Sequence, residues 1–255
     1  MKLAVVFPGI GYHCDKPLLY YSSKMAKSLD YKICKVPFHD LSGKKDLIGN
    51  PKRMREVFEK ARAQAEEMLS DIRWKQVEDI LFLSKSVGTA VAASYAADHD
   101  LQVRHIYYTP VEETFRFMQE GSGIVFHGTA DPWVETRIVQ NGCREKMVPL
   151  YITEQANHSL ETGVVLADLK NLQRIMEQTW SYMACEEAVY TIRKIEEADY
   201  GCEELPEGAS VQAAVTLGDA QGREMTISAE DEDLYRKNLV PGDRVVVRAH
   251  ALFRA

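Results

Sequence analysis

The sequence predicts an α/β fold: a doubly wound, mostly parallel sheet followed by a small all-β domain. Three observations predict it. Six short apolar, β-branched runs alternate with amphipathic stretches through about residue 185. The stretches between them are long enough to be crossover helices, which parallel strands require. After about residue 185 the pattern changes to short strands with glycine-bearing turns and no long helix.

In chain order, the runs at 2–7, 32–36, 79–83, 103–107, 123–127 and 146–151 read as strands. They are apolar on both faces, as strands covered by helices on two sides must be. Between and after them, 17–29, 51–69, 88–98, 111–118, 134–141 and 159–183 carry helical spacing. In the last, Leu166, Leu169, Leu172, Ile175 and Met176 fall at intervals that predict a core-facing stripe. Right-handed crossovers give an open sheet whose binding crevice lies at the carboxyl ends of the strands.

The break Leu205-Pro206-Glu207-Gly208 separates a predicted strand at 189–195 from the rest of the second domain. Strands at 210–217 and 223–229 follow, joined by Gly218-Asp219-Ala220-Gln221-Gly222. A helical turn at 231–238 and Pro241-Gly242-Asp243 then lead into a strand at 244–251. This predicts a small β-barrel or sandwich. The domains are read as 1–185 and 186–255.

Composition narrows the function classes. With 45% hydrophobic residues in 255, the chain can bury a large core. No apolar run reaches the roughly 18 residues of a membrane span, and MKLAVVFPGIGY lacks a signal peptide's long apolar region and cleavage site. The expectation is a cytoplasmic protein with no membrane partner. Five scattered cysteines without a CxxC pair predict free thiols rather than a disulfide framework or structural zinc. From Glu186 onward there are 15 acidic against 8 basic residues, which is the whole formal charge of −7. That acidic tail excludes phosphate neutralisation, so no nucleic-acid partner is expected.

Three loops carry the candidate chemistry, and each follows a predicted strand. In LFLSKSVGTA, Ser84-Lys85-Ser86-Val87-Gly88 has the form S-x-S-x-G. A nucleophile on a sharp strand-to-helix turn needs small residues two before and two after it, and Ser84 and Gly88 are small. Ala90, Ala92 and Ala93 let the next helix approach the sheet. A helix-capping serine is the alternative local reading. In IVFHGTADPWV, Asp131 can orient a histidine or cap the following helix. In EQANHSLET, His158 precedes the long last helix. Ser86, Asp131 and His158 occur in the chain order of one fold family.

With SKSVG, HGTADPW and ANHSLE in hand, the sequence resembles the α/β-hydrolase superfamily over residues 1–183. It looks most like its small, lid-less branch of dienelactone-hydrolase-like serine esterases. The resemblance implies Ser86 as nucleophile, His158 as general base and acid, and Asp131 as the orienting carboxylate. It also implies two backbone N–H donors for an oxyanion, from Val87 and from Ile10 in Pro8-Gly9-Ile10-Gly11. Ser84, where the family has glycine, is the departure.

Tyr12, His13 and Trp133 are the expected substrate-binding residues, with His39 near the entrance. Lys85 is expected to point away from the crevice. Gly9-Ile10-Gly11 begins a dinucleotide fingerprint, but Cys14 stands at its third glycine, so no cofactor is expected. His13, Cys14, Asp15, His39 and Asp40 match no metal spacing, so no metal is expected. The expected function is hydrolysis of an ester, thioester or lactone of a small molecule through an acyl-enzyme. The alternative is a hydrolase-like scaffold whose β domain docks a partner or a second copy of the chain.

Overall fold

The computed structural model describes residues 1–41, 47, 50–184, 189–197, 211–219, 222, 224–248 and 251–254. The chain divides into two compact units, Met1–Ala184 and Cys185–Ala255. The break read at Leu205-Pro206-Glu207-Gly208 lies outside the described residues, as do Cys185 and Cys202.

The first unit holds strands β1 (Lys2–Phe7), β2 (Lys32–Lys35), β3 (Asp79–Lys85), β4 (Arg104–Tyr108), β5 (Gly123–Gly128) and β6 (Leu150–Thr153). They form one sheet in the order β2-β1-β3-β4-β5-β6, every pair parallel. Helices α1 (Pro17–Ser28), α2 (Pro51–Leu69), α3 (Val87–Asp98), α4 (Thr114–Phe117), α5 (Thr136–Glu145) and α6 (Val165–Ala184) connect or follow the strands. This is a doubly wound, parallel α/β arrangement.

Alternation along the strands divides the core into two layers. Val5, Phe7, Phe82, Tyr107 and Val125 pack with α2 and α3, whereas Ala4, Val6, Leu83, Ile106 and Phe126 pack with α1 and α6. Burying one such side chain contributes about 1.5–3 kcal/mol. Helix α3 is buried on every side from Val87 to Ala96, and its small residues let it lie close to the sheet.

Several elements differ from the sequence reading. Residues 146–149 cap and leave α5, with Met147 at φ +50°, so the last strand is Leu150–Thr153. Of 111–118 only Thr114–Phe117 is helical. The stripe predicted on the last helix is only half core: Ile175 and Met176 are buried and Leu172 is partly buried, but Leu166 is 74% and Leu169 58% exposed.

The second unit has β7 (Val189–Glu197), β8 (Gln212–Gly218), β9 (Glu224–Glu230), α7 (Asp231–Arg236), β10 (Arg244–Arg248) and β11 (Ala251–Arg254). All pairings are antiparallel, in the order β11-β10-β7-β8-β9. Among the described residues this is one sheet rather than the two of a sandwich, and β11 also lies near β9, so it curls toward a barrel. Its core gathers Ile192, Val215, Leu217, Leu234, Val245 and Leu252. The single strand predicted at 244–251 is instead the first arm of a pair, because Val246 and Val247 face Phe253 and Leu252 across the ladder.

Candidate active site

Ser86 sits between the last residue of β3 and the first of α3, at φ +57° and ψ −130°. A non-glycine residue in this region is strained, and the strain lifts the side chain clear of both flanking elements. Neighbouring backbone holds the turn: Ser86 N–H donates to Tyr108 O at 3.1 Å. Gly88 is required by close approach, since a Cβ there would lie 2.3 Å from Pro8 O and 2.5 Å from Phe7 O. Ser84 fits the other small position, buried, with its hydroxyl donating to Ile106 O at 3.2 Å.

Asp131 is delivered by the turn after β5 and His158 by the loop after β6, and backbone bonds join these loops. Ala130 N–H donates to Ala156 O at 2.9 Å and Thr129 N–H to Thr153 O at 3.1 Å. Gly128 lets them meet, because a Cβ there would lie 2.2 Å from Ala156 O. Asn157 turns the histidine loop by accepting from Ser159 N–H at 2.7 Å. Asp168 anchors its far end, accepting from Thr162 N–H at 2.6 Å, and that bond holds its carboxyl below the usual range.

The structure brings Ser86, Asp131 and His158 together. His158 Nδ1 is 2.7 Å from Asp131 Oδ2, and His158 Nε2 is 2.8 Å from Ser86 Oγ. Asp131 Oδ1 is occupied by the N–H of Trp133 at 2.9 Å. A carboxylate can only accept, so Nδ1 carries the ring proton. Nε2 is then the acceptor for the Ser86 hydroxyl.

The oxyanion candidates lie beside this line. Val87 opens α3, where a helix has no internal acceptor for its N–H. The Gly9–Tyr12 turn is closed by reciprocal bonds between Gly9 and Tyr12, at 3.0 and 3.2 Å, and neither uses the Ile10 N–H. The loop abuts the nucleophile: a Cβ on Gly9 would sit 2.8 Å from Ser86 Cβ.

Of the expected substrate-binding residues, Trp133 lines a cavity and packs against the His158 ring at 5.4 Å between centroids. The cavity, of about 510 Å³, is walled by Met54, Phe58, Val87, Ala90 and Trp133, with Arg55 and Glu112 at its edge. Tyr12 is a correction. It is buried in the α1/α6 layer with its hydroxyl accepting from Leu18 N–H at 3.1 Å, and burial pushes that hydroxyl up to about 12. His13 is exposed, its Nδ1 accepting from Asp15 N–H at 3.3 Å, and does not line this cavity. His39 is tied by its backbone to Gln64. Among the described residues no three His, Cys, Asp or Glu side chains are grouped to hold a metal ion. No helix of these residues is long and apolar enough to cross a membrane.

Three residues not singled out as site residues also meet here. His127 is fully buried, with Nε2 3.1 Å from Thr136 Oγ1 and Nδ1 3.9 Å from Asp131 Oδ2. Burial lowers its pKa, against the opposing pull of the Asp131 carboxylate. Lys85 is fully buried and hydrogen-bonds Thr109 Oγ1, which donates to His158 O at 3.1 Å. Only the SKS tripeptide hinted at Lys85. Nothing local marks Thr109.

No family model and no curated protein sequence matches this chain. Solved structures are similar at low identity. An α/β serine hydrolase homologue from Coxiella burnetii is 16% identical over 68% of this chain and 84% of its own, with a TM-score of 0.46. An α/β serine hydrolase without a lid from Xanthomonas campestris is 17% identical over 69% and 81%, with a TM-score of 0.45. An esterase from Pyrococcus furiosus is 13% identical over 69% and 81%, with a TM-score of 0.47. At such scores these likenesses carry no weight of their own; the architecture stands on its strand order and its strained turn.

Proposed function

We propose that the chain is a serine hydrolase that cleaves an ester, thioester or lactone of a small molecule through an acyl-enzyme. The observation that carries this reading is the unbroken line from Asp131 through His158 to Ser86, at 2.7 and 2.8 Å, with the serine on a strained elbow. A capping serine would have no need of it.

In the proposed reaction Ser86 Oγ attacks the carbonyl carbon as its proton passes to His158 Nε2. Asp131 stabilises the imidazolium through Nδ1–H. The N–H groups of Val87 and Ile10 receive the oxyanion, and removing one such donor typically costs about 10²–10³ in rate. His158 then protonates the leaving group, and water, activated by the same ring, releases the acid and restores Ser86. The cavity beside Val87 and Trp133 suits an apolar portion of the substrate.

Pre-steady-state hydrolysis of 4-nitrophenyl esters of graded chain length tests this. The expected result is a burst of nitrophenol stoichiometric with enzyme, and a loss of about 10³-fold or more in kcat for Ser86→Ala. Turnover of the whole panel that survives Ser86→Ala unchanged would overturn the proposal.

A further inference from the structure

Lys85 occupies a position that an apolar residue would fill at less cost. It projects into the same layer as Leu83 and Leu81, two and four residues earlier on β3, and is fully buried. Withdrawing an ammonium from water is expensive unless it is hydrogen-bonded or paired. Its amine reaches Thr109 Oγ1 and lies 5.1 Å over the Tyr12 ring.

Thr109 is equally unusual. It follows β4 with φ +43°, a left-handed conformation that is a real outlier for a β-branched residue. Backbone holds it there, with Thr109 N–H donating to Phe126 O at 2.7 Å. Its hydroxyl accepts from Lys85 Nζ, and its proton goes to His158 O at 3.1 Å. One hydroxyl thus links the residue before Ser86 to the backbone of the histidine. Strain of this kind gathers where geometry has a task.

We propose that Thr109 and Lys85 are positioning residues: a brace beneath the site that sets the reach of His158 toward Ser86. The inference rests on the hydrolase reading for its kinetic consequences, but not for its structural one. Neither side chain touches substrate. Losing the hydroxyl frees the peptide of His158, and a displacement near 1 Å can cost about 10² in rate.

The test uses the full chain with Thr109→Val, Thr109→Ser, Lys85→Met and the Thr109→Val/Lys85→Met double variant, alongside Ser86→Ala. Thr109→Val is expected to lower kcat by about 10–10²-fold with KM little changed. Thr109→Ser, which keeps the hydroxyl, recovers most of that loss. If the brace is one unit, the double variant is no slower than the worse single variant. A second readout is independent of turnover. The far-downfield proton resonance of His158 Nδ1–H should be present in the wild type and in Ser86→Ala, and lost or broadened in Thr109→Val. If no ester is turned over but the resonance follows this pattern, the brace stands and the hydrolase reading falls. A Thr109→Val protein with wild-type kcat and resonance overturns the brace. So does Thr109→Ser failing as badly as Thr109→Val, which would make the position one of packing alone.

Discussion

His105, on β4, is 1% exposed and stacks on Tyr107 at 4.7 Å, with Phe82 edge-on at 5.3 Å. Its Nδ1 has no hydrogen-bond partner among the described residues, and burial pushes its pKa down to about 3 from 6.5. The folded chain therefore binds fewer protons here than the unfolded chain between those values. Stability contributed by the neutral ring is complete above the unfolded pKa and is lost as pH falls through that window. His105→Phe should lose on the order of 2 kcal/mol less stability than the wild type on acidification from neutral to about pH 5. Urea unfolding at the two pH values checks this; equal losses would assign the acid sensitivity elsewhere. At this scale the convergence of Ser86, Asp131 and His158 was legible because each follows a strand and their order fits one geometry. The role of Tyr12 was misread, because whether a side chain turns into a core or a crevice depends on layers contributed by α1 and α6. Thr109 was illegible for the same reason: its partners lie 24 and 49 residues away.

Elements were legible where apolar periodicity was long, and less so at their ends. Helix α2 was read to its observed bounds and α3 to within one residue. The strand before the histidine loop was read too early, because Met147 and Val148 are apolar while still leaving α5. Helix α6 shows the limit of periodicity: helical spacing identifies the helix, not how far along it the partner surface extends. Ile175→Ala should accordingly cost about 2–5 kcal/mol, whereas Leu166→Gln should change stability by no more than about 0.5 kcal/mol. Chemical denaturation of both variants tests the division; equal costs would put Leu166 in the core. The elbow makes a sharper prediction. Gly88→Ala pushes a methyl group into the carbonyl oxygens of Phe7 and Pro8. Backbone cannot yield as a side chain does, so a loss of about 3 kcal/mol or more, or failure to fold, is expected. A variant with wild-type melting would contradict this close approach of α3 to β1.

On the scale of the molecule, every residue of the proposed mechanism and of the brace lies in the unit Met1–Ala184. The formal charge of −7 lies in the sequence after it. A Met1–Ala184 fragment should therefore keep both burst and turnover, measured as for the full chain; loss of turnover in a folded fragment would give the second unit a part in the chemistry. The architecture of both units was visible in the alternation of runs and spacers. The curling of the second sheet was read only as one of two alternatives, barrel or sandwich, since closure depends on pairings between distant strands.

Covalent capture tests most directly the proposed role of Ser86 as an activated nucleophile. The full chain is treated with a fluorophosphonate, digested, and the adduct located by mass spectrometry. One adduct per chain is expected, on Ser86, absent in Ser86→Ala and greatly slowed in His158→Ala. An adduct on another residue, or labelling of Ser86 that proceeds undiminished without His158, would contradict it.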